Sequence, residues 1–156
     1  MTRESPSSRD GLTLIEQLSA ELGERYGDDG GANSYNPHDP LASGAAFFVA
    51  RIEGHPVGCG AIRPLEPGVG EVKRMFVRPE ARGRGISRLI LHEVETTALA
   101  MGYRRLRLET GIKQPEAIAL YESAGYQRSN CYGYYLDDPR SVCFEKNLVP
   151  GSGAVP

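Results

Sequence analysis

The sequence predicts a mixed α/β or α+β domain, one sheet with helices on its faces. Two observations carry this. Apolar residues switch along the chain between helical spacing and strand-like runs. The predicted order is helix, three strands, helix, strand, helix, two strands, so strands cluster and helices intersperse. A length of 156 residues suits a single core, taken as residues 1–148, and 40% hydrophobic with 24% charged residues is an ordinary globular composition.

The first helix is read from Leu12, Leu14, Ile15, Leu18 and Leu22, with Ser8 or Asp10 as its cap and Gly23 or Gly27 as its end. Asp28 to Gly44 is rich in Gly, Asn, Pro and Asp and reads as loop, with room for one short helical turn. Ala46 to Ile52 and Val57 to Ile62 form a hairpin around Glu53-Gly54-His55-Pro56. Pro64 to Gly70 is a second turn region. Glu71 to Val77 alternates, with Val72 and Phe76 assigned to one face and Lys73, Met75 and Val77 to the other. Arg74 interrupts the first face and leaves its own burial open. Ile86, Ile90, Val94, Ala98 and Met101 give the second helix, which Gly102 ends. Arg105 to Thr110 alternates as a strand. Pro115 opens a third helix through Ala117, Ile118, Leu120 and Tyr121, and Gly125 closes it. A Tyr-rich strand from Gln127 to Tyr135 and another from Ser141 to Lys146 follow, separated by the turn Asp137-Asp138-Pro139. The tail 149–156 is expected to be mobile.

Composition narrows the function classes. A net charge of -2 argues against a nucleic-acid partner. No apolar run approaches the roughly 20 residues of a membrane helix, and the first residues lack a secretory apolar stretch, so no membrane partner and a cytoplasmic location are expected. Cys59, Cys131 and Cys143 are odd in number and far apart, which indicates neither a disulfide framework nor a CxxC metal site. His38, His55 and His92 are scattered, so no metal is expected either.

The chemistry concentrates between Val77 and Ser87. Arg78-Pro79-Glu80-Ala81-Arg82-Gly83-Arg84-Gly85-Ile86-Ser87 leads into a helix past two glycines. The first turn of a helix has unpaired amides and a partial positive charge, and glycine lets an anion approach them. From Glu71 to Arg88 six basic residues face two acidic ones, so this segment is +4 and the remainder about -6. The positive charge is local, as a phosphate site requires. A dinucleotide fingerprint is excluded because Arg88 stands at the third glycine, and no Gly-Lys-Ser/Thr is present for a P-loop. A plain helix start with a solvated basic face is the competing reading.

Arg82-Gly83-Arg84-Gly85-Ile86-Ser87 resembles the Gln/Arg-x-x-Gly-x-Gly/Ala motif of the GNAT superfamily of N-acetyltransferases. Lys73 to Pro79 resembles the strand and turn before that motif. Leu120-Tyr121-Glu122-Ser123-Ala124-Gly125-Tyr126 resembles the family's helix ending in Tyr-x-x-x-Gly-Phe/Tyr. The likeness spans about Phe47 to Lys146. Ser87 replaces the usual final Gly or Ala, Gln114 stands where many members have Asn, and little chain precedes the first helix to supply the family's opening strand.

The resemblance implies a mostly antiparallel sheet of six to seven strands with splayed central strands, flanked by about four helices. It implies acetyl-CoA as cosubstrate, without metal, and direct transfer to a primary amine of a small molecule, amino acid or peptide. A non-catalytic acyl-CoA-binding or regulatory domain on the same fold is the alternative. The implied cofactor-binding residues are Met75, Phe76, Val77, Arg82, Gly83, Arg84, Gly85, Ile86, Ser87 and Gln114. Tyr121 matches the tyrosine that protonates the CoA sulfur. Glu109 is the first candidate base and Glu71 the second. Either carboxylate could equally be a surface group paired with Arg107 or Lys73. The loops Tyr26 to Gly44 and Cys131 to Pro139 would line the acceptor pocket, with Tyr35, Asp137 and Asp138 as groups facing a cation, and a homodimer is possible.

Overall fold

The structure, a computed structural model, describes residues 1–31, 35–39 and 41–149; the expected tail lies, from residue 150 onward, outside them. A short strand, β1 (Thr2–Arg3), comes first and pairs with the next strand, so the opening strand is present but brief. Helix α1 (Arg9–Tyr26) starts at Ser8, whose side chain accepts from the Gly11 amide. It stops at Gly27, which takes the left-handed conformation a C-cap needs. The other two candidate ends, Asp10 and Gly23, lie inside the helix.

Strand β2 (Ala46–Ile52) turns into β3 (His55–Glu66) through Glu53 and Gly54 alone, both at positive φ (51° and 80°). That two-residue turn matches the natural twist of a hairpin, so pairing begins at Ile52 with His55 and β3 is longer than expected. Pro67-Gly68 then returns the chain into β4 (Val69–Val77). Helix α2 (Ile86–Ala100) carries it across to β5 (Arg105–Gly111), which lies parallel to β4. Helix α3 (Pro115–Ser123) leads to β6 (Gln127–Ser129) and β7 (Ser141–Asn147). The seven strands run in the order β1-β2-β3-β4-β5-β7-β6. Among the described residues only the β4/β5 pair is parallel.

The sheet separates two cores. Leu14, Ile15 and Leu18 of α1 pack with Phe47, Val49, Cys59, Ala61 and Phe76 on one face. Ile86, Ile90 and Val94 of α2 pack with Phe48, Val72, Leu106, Leu108, Tyr121 and Phe144 on the other.

Four expectations are corrected. Val72 and Phe76 lie on opposite faces, because β4 carries an extra residue at Arg74 (φ 53°). Such a bulge flips the alternation, so Met75 and Val77 join Val72 on the α2 face. Three α-helices are present among the described residues instead of about four; the Gly-, Asn-, Pro- and Asp-rich chain between α1 and β2 favours turns. The Tyr-rich run is a strand only over Gln127–Ser129, and Gly133–Tyr135 is a single 3-10 turn. Finally, Cys131 and Cys143 form a disulfide, with Cα atoms 5.2 Å apart. The β6/β7 register places Ser129 opposite Cys143, so two residues on from a paired position the cysteines meet. Sequence spacing gave no sign of that pairing.

Candidate active site

The parallel pairing of β4 with β5 covers Val69 to Val72 against Arg105 to Leu108 and then ends. Past that point β4 continues against β3, and β5 continues against β7 through Glu109, Thr110 and Gly111. The bulge at Arg74 bends β4 at this point, as bulges do. The strands fork, and a cavity of about 650 Å³ opens between them.

A fork lets both faces of a sheet reach one space. Val72 and Leu108 face α2, so Lys73 and Glu109, next in line, face the α1 side. Tyr121 comes from α3 on the opposite face, yet it and Glu109 both line the cavity. Ser141 Oγ donates to Glu109 Oε2 at 2.7 Å, and burial raises the Glu109 carboxyl to about 7. Tyr121 is 5% exposed, its ring packed near Tyr126 and Phe144 (centroids 5.6 and 6.0 Å). Its hydroxyl bonds to none of the described residues. Burial pushes that phenol well above its ordinary range, so it holds its proton at neutral pH.

The glycine-rich loop forms the other end. Gly83 and Gly85 sit at φ 81° and 76°, and a Cβ on either would meet nothing within 4 Å. Gly85 caps α2 with no side-chain hydrogen bond, which leaves the first-turn amides without a capping acceptor. Arg82 is fixed by donating from Nε to the Val77 carbonyl (2.9 Å) and from Nη2 to both oxygens of Glu21 (2.7 and 3.0 Å). Arg78 donates its amide to the Val57 carbonyl of β3 (2.8 Å). By strand alternation the amides of Met75 and Val77 point the other way, into the fork.

Of the residues singled out from sequence, Met75, Phe76, Val77, Arg82, Gly83, Gly85, Ile86, Ser87, Gln114, Glu109, Tyr121 and Glu71 line this cavity. Arg84 does not; it is exposed. Gln114 spends its Oε1 on the Gly111 amide (3.1 Å) and the Tyr26 hydroxyl (3.3 Å), tying the end of β5 to α3. Asp138 lines the cavity with its carboxylate held by Arg140, while Asp137 and Tyr35 are not in the lining. Glu71 is not a surface group: it is 1% exposed and bonded to Arg63 Nε and the Tyr132 hydroxyl, each at 2.7 Å. Neither Glu71 nor Glu109 pairs with Arg107, whose guanidinium lies over the Tyr132 ring at 4.5 Å.

Sequence reasoning missed Lys73 as a site residue. It is buried, donates to the Tyr135 hydroxyl at 2.6 Å, and burial lowers its amine to about 8. It also missed Thr110, a buried residue in the lining whose Oγ1 has no partner among the described residues. The signal was available: Glu71, Lys73 and Arg74 are charged residues inside an otherwise apolar strand. Among the described residues no cluster could hold a metal, and no helix is long and apolar enough to cross a membrane.

Residues 13–126 match the Acetyltransferase (GNAT) family. An Azospirillum brasilense protein named IAA acetyltransferase is 43% identical over 150 residues, 95% of this chain and 97% of that one. The uncharacterized Escherichia coli K12 N-acetyltransferase YjgM is 36% identical over 73% of this chain and 72% of its own. A Klebsiella pneumoniae structure assigned as an acyl-CoA N-acyltransferase superposes with TM-score 0.79 at 35% identity, covering 95% of this chain and 96% of that one. An Elizabethkingia anophelis GNAT acetyltransferase with acetyl-CoA bound shares the fold at TM-score 0.68 and 16% identity, over 94% of this chain and 96% of its own. A forked sheet, an uncapped glycine-lined helix start and these relatives together place the chain in the GNAT family, as an acetyl-CoA-dependent N-acetyltransferase.

Proposed function

We propose that the chain acetylates a primary amine by direct attack in a ternary complex, with the amine on the α1 side of the fork. The observation that carries this reading is that Glu109 and Tyr121 reach one cavity from opposite faces of the sheet. Acetyl-CoA, when bound, supplies the thioester whose carbonyl carbon is attacked and whose sulfur leaves.

The residues present fit that molecule in three places. The bare amides of Gly83 to Ser87, with the Arg82 charge beside them, suit a diphosphate. The Met75 and Val77 amides offer hydrogen bonds to an extended, amide-bearing chain, as a sheet edge does to an added strand. Met75, Ile86, Ala117 and Leu120 provide an apolar wall. Arg84 stays at the surface, where its charge adds to the field around the loop.

Glu109 is the base. A carboxyl near 7 is about half ionised at neutral pH, so it can take a proton from an ammonium and leave a nucleophilic amine. Tyr121 is the acid. Its uncommitted, protonated hydroxyl is placed to donate to the charge that develops on sulfur. Glu109 is preferred to Glu71, whose oxygens already accept from Arg63 and Tyr132.

The test is CoA release, followed with a thiol reagent, over amines, amino acids and short peptides. IAA joins the panel because of the named Azospirillum relative. Acceptor-dependent release is expected. Acetyl-CoA binding without release across the panel would leave a non-catalytic acyl-CoA-binding domain as the better reading.

A further inference from the structure

The acceptor side of the cavity holds an uneven set of charges. Arg140 is taken by Asp28 and Asp138 (3.0 and 3.1 Å). Arg63 is taken by Glu71, whose second oxygen accepts from the Tyr132 hydroxyl. Arg74 points to α1, where Ser19 Oγ and the Gly30 carbonyl accept from it (3.0 and 3.2 Å). Lys73 differs. It is 7% exposed and lines the cavity, yet among the described residues it forms no ion pair. Its partner is the neutral Tyr135, through the hydroxyl at 2.6 Å and the ring face at 5.3 Å. Glu71 and Glu109 attract this ammonium only from beyond ion-pair distance, so burial dominates and lowers its pKa.

Position gives that cation a purpose. Val72 and Leu108 are the last paired residues of β4 and β5, and Lys73 and Glu109 follow them on the same face, one on each arm of the fork. Paired strands sit about 4.8 Å apart, and the fork widens from there. An amine and a carboxylate on one carbon span such a gap.

We infer that the acceptor is an amino acid or a close analogue, its carboxylate held by Lys73 while its amine faces Glu109. This rests on the transferase reading and adds the substrate class. The bound carboxylate supplies the direct ion pair that Lys73 lacks among the described residues. It also fixes the amine near the base, and orientation of that kind is what an active site must provide.

The test uses matched trios built on one side chain: the free amino acid, its amide and the decarboxylated amine. The amide's amine loses its proton more readily, so without carboxylate recognition the amide would react faster. The wild-type protein is expected to favour the free acid in kcat/KM by about ten- to a hundredfold, the span of a charge-assisted hydrogen bond. Lys73→Met should bring the acid-to-amide ratio down to one or below. A variant that merely folds poorly lowers both rates alike and leaves the ratio unchanged, so a preserved ratio overturns the inference. Calorimetry gives a second measure: with CoA present, the free acid should bind the wild type at least tenfold tighter than Lys73→Met. A wild type that uses amides or simple amines as well as acids sinks the carboxylate site but leaves the transferase intact. No transfer to any amine, with acetyl-CoA binding preserved, sinks both.

Discussion

Single residues set the chemistry here through burial. In the proposed mechanism, Glu109 and Tyr121 are ordinary side chains given their roles by where they are held. The Tyr121 phenol is kept protonated by its apolar surroundings and has no other bond to make among the described residues. Tyr121→Phe should therefore lower kcat by about a hundredfold, the usual scale for one proton donor, while acetyl-CoA affinity changes by less than threefold. Stopped-assay kinetics with calorimetry separates the two, and an unchanged kcat would remove Tyr121 from the reaction. Glu109 has its carboxyl raised to about 7 by burial, against the bond from Ser141 and the attraction of Lys73, with smaller upward pushes from Asp138 and Glu71. Its active form is the ionised one, so kcat/KM should rise with pH and level off above about 7. Glu109→Gln should drop the plateau by about a hundredfold and erase that rise. The sign for stability is opposite. The folded state binds the Glu109 proton more tightly than the unfolded chain does, so this group's contribution falls as pH rises from about 4.5 to 7.

Elements decide where those residues can act. The Arg74 bulge bends β4, ends its pairing with β5 at Val72, and turns Lys73 and Arg74 to the α1 side together. The loop before α2 depends on Gly83 and Gly85 in left-handed conformations with open space around them. Gly85→Ala meets no neighbour, so it should destabilise the fold by only about 1–2 kcal/mol, the penalty of that backbone conformation. Its methyl group would still crowd the amides proposed to hold the diphosphate. Acetyl-CoA affinity is expected to fall at least about tenfold, read by calorimetry, with the melting temperature of the free protein lowered by a few degrees. Unchanged affinity would mean that the diphosphate is held elsewhere. The disulfide belongs to this scale as well. Cys143 pairs in register with Glu109, and its bond to Cys131 ties the Tyr132 to Tyr135 segment to β7 beside the cavity.

The whole molecule is a sheet opened along one seam, and its cavity is walled by elements far apart in sequence. Arg25 of α1 bonds Glu116 of α3, Tyr26 bonds Gln114, and Arg82 bonds Glu21, so α1 is tied across the fork on both sides. A ligand seated in the fork bridges β4, α2 and α3 and binds the folded state alone. Acetyl-CoA at a hundred times its Kd should then add about 2.7 kcal/mol of stability, seen as a rise of several degrees in melting temperature. A melting temperature that does not respond to acetyl-CoA would count against the cavity as its site.

Much of this was legible in the chain before folding. Helical spacing in Leu14, Ile15 and Leu18 fixed α1, and the glycines with Arg82 marked an anion-binding helix start, because both signals are local. Tyr121 and Glu109 were singled out through motif and strand position, and both line the cavity. The rest depended on contacts between distant segments. The bulge at Arg74 comes from β3 and β4 having unequal residue counts, and the Cys131–Cys143 bond comes from the register of β6 on β7. The burial of Glu71 and Lys73 exists only once Tyr132 and Tyr135 close over them. A sequence carries propensity and period along one line. Which charges are taken out of water, and which of them are left without a partner, is decided when separate parts of that line pack together.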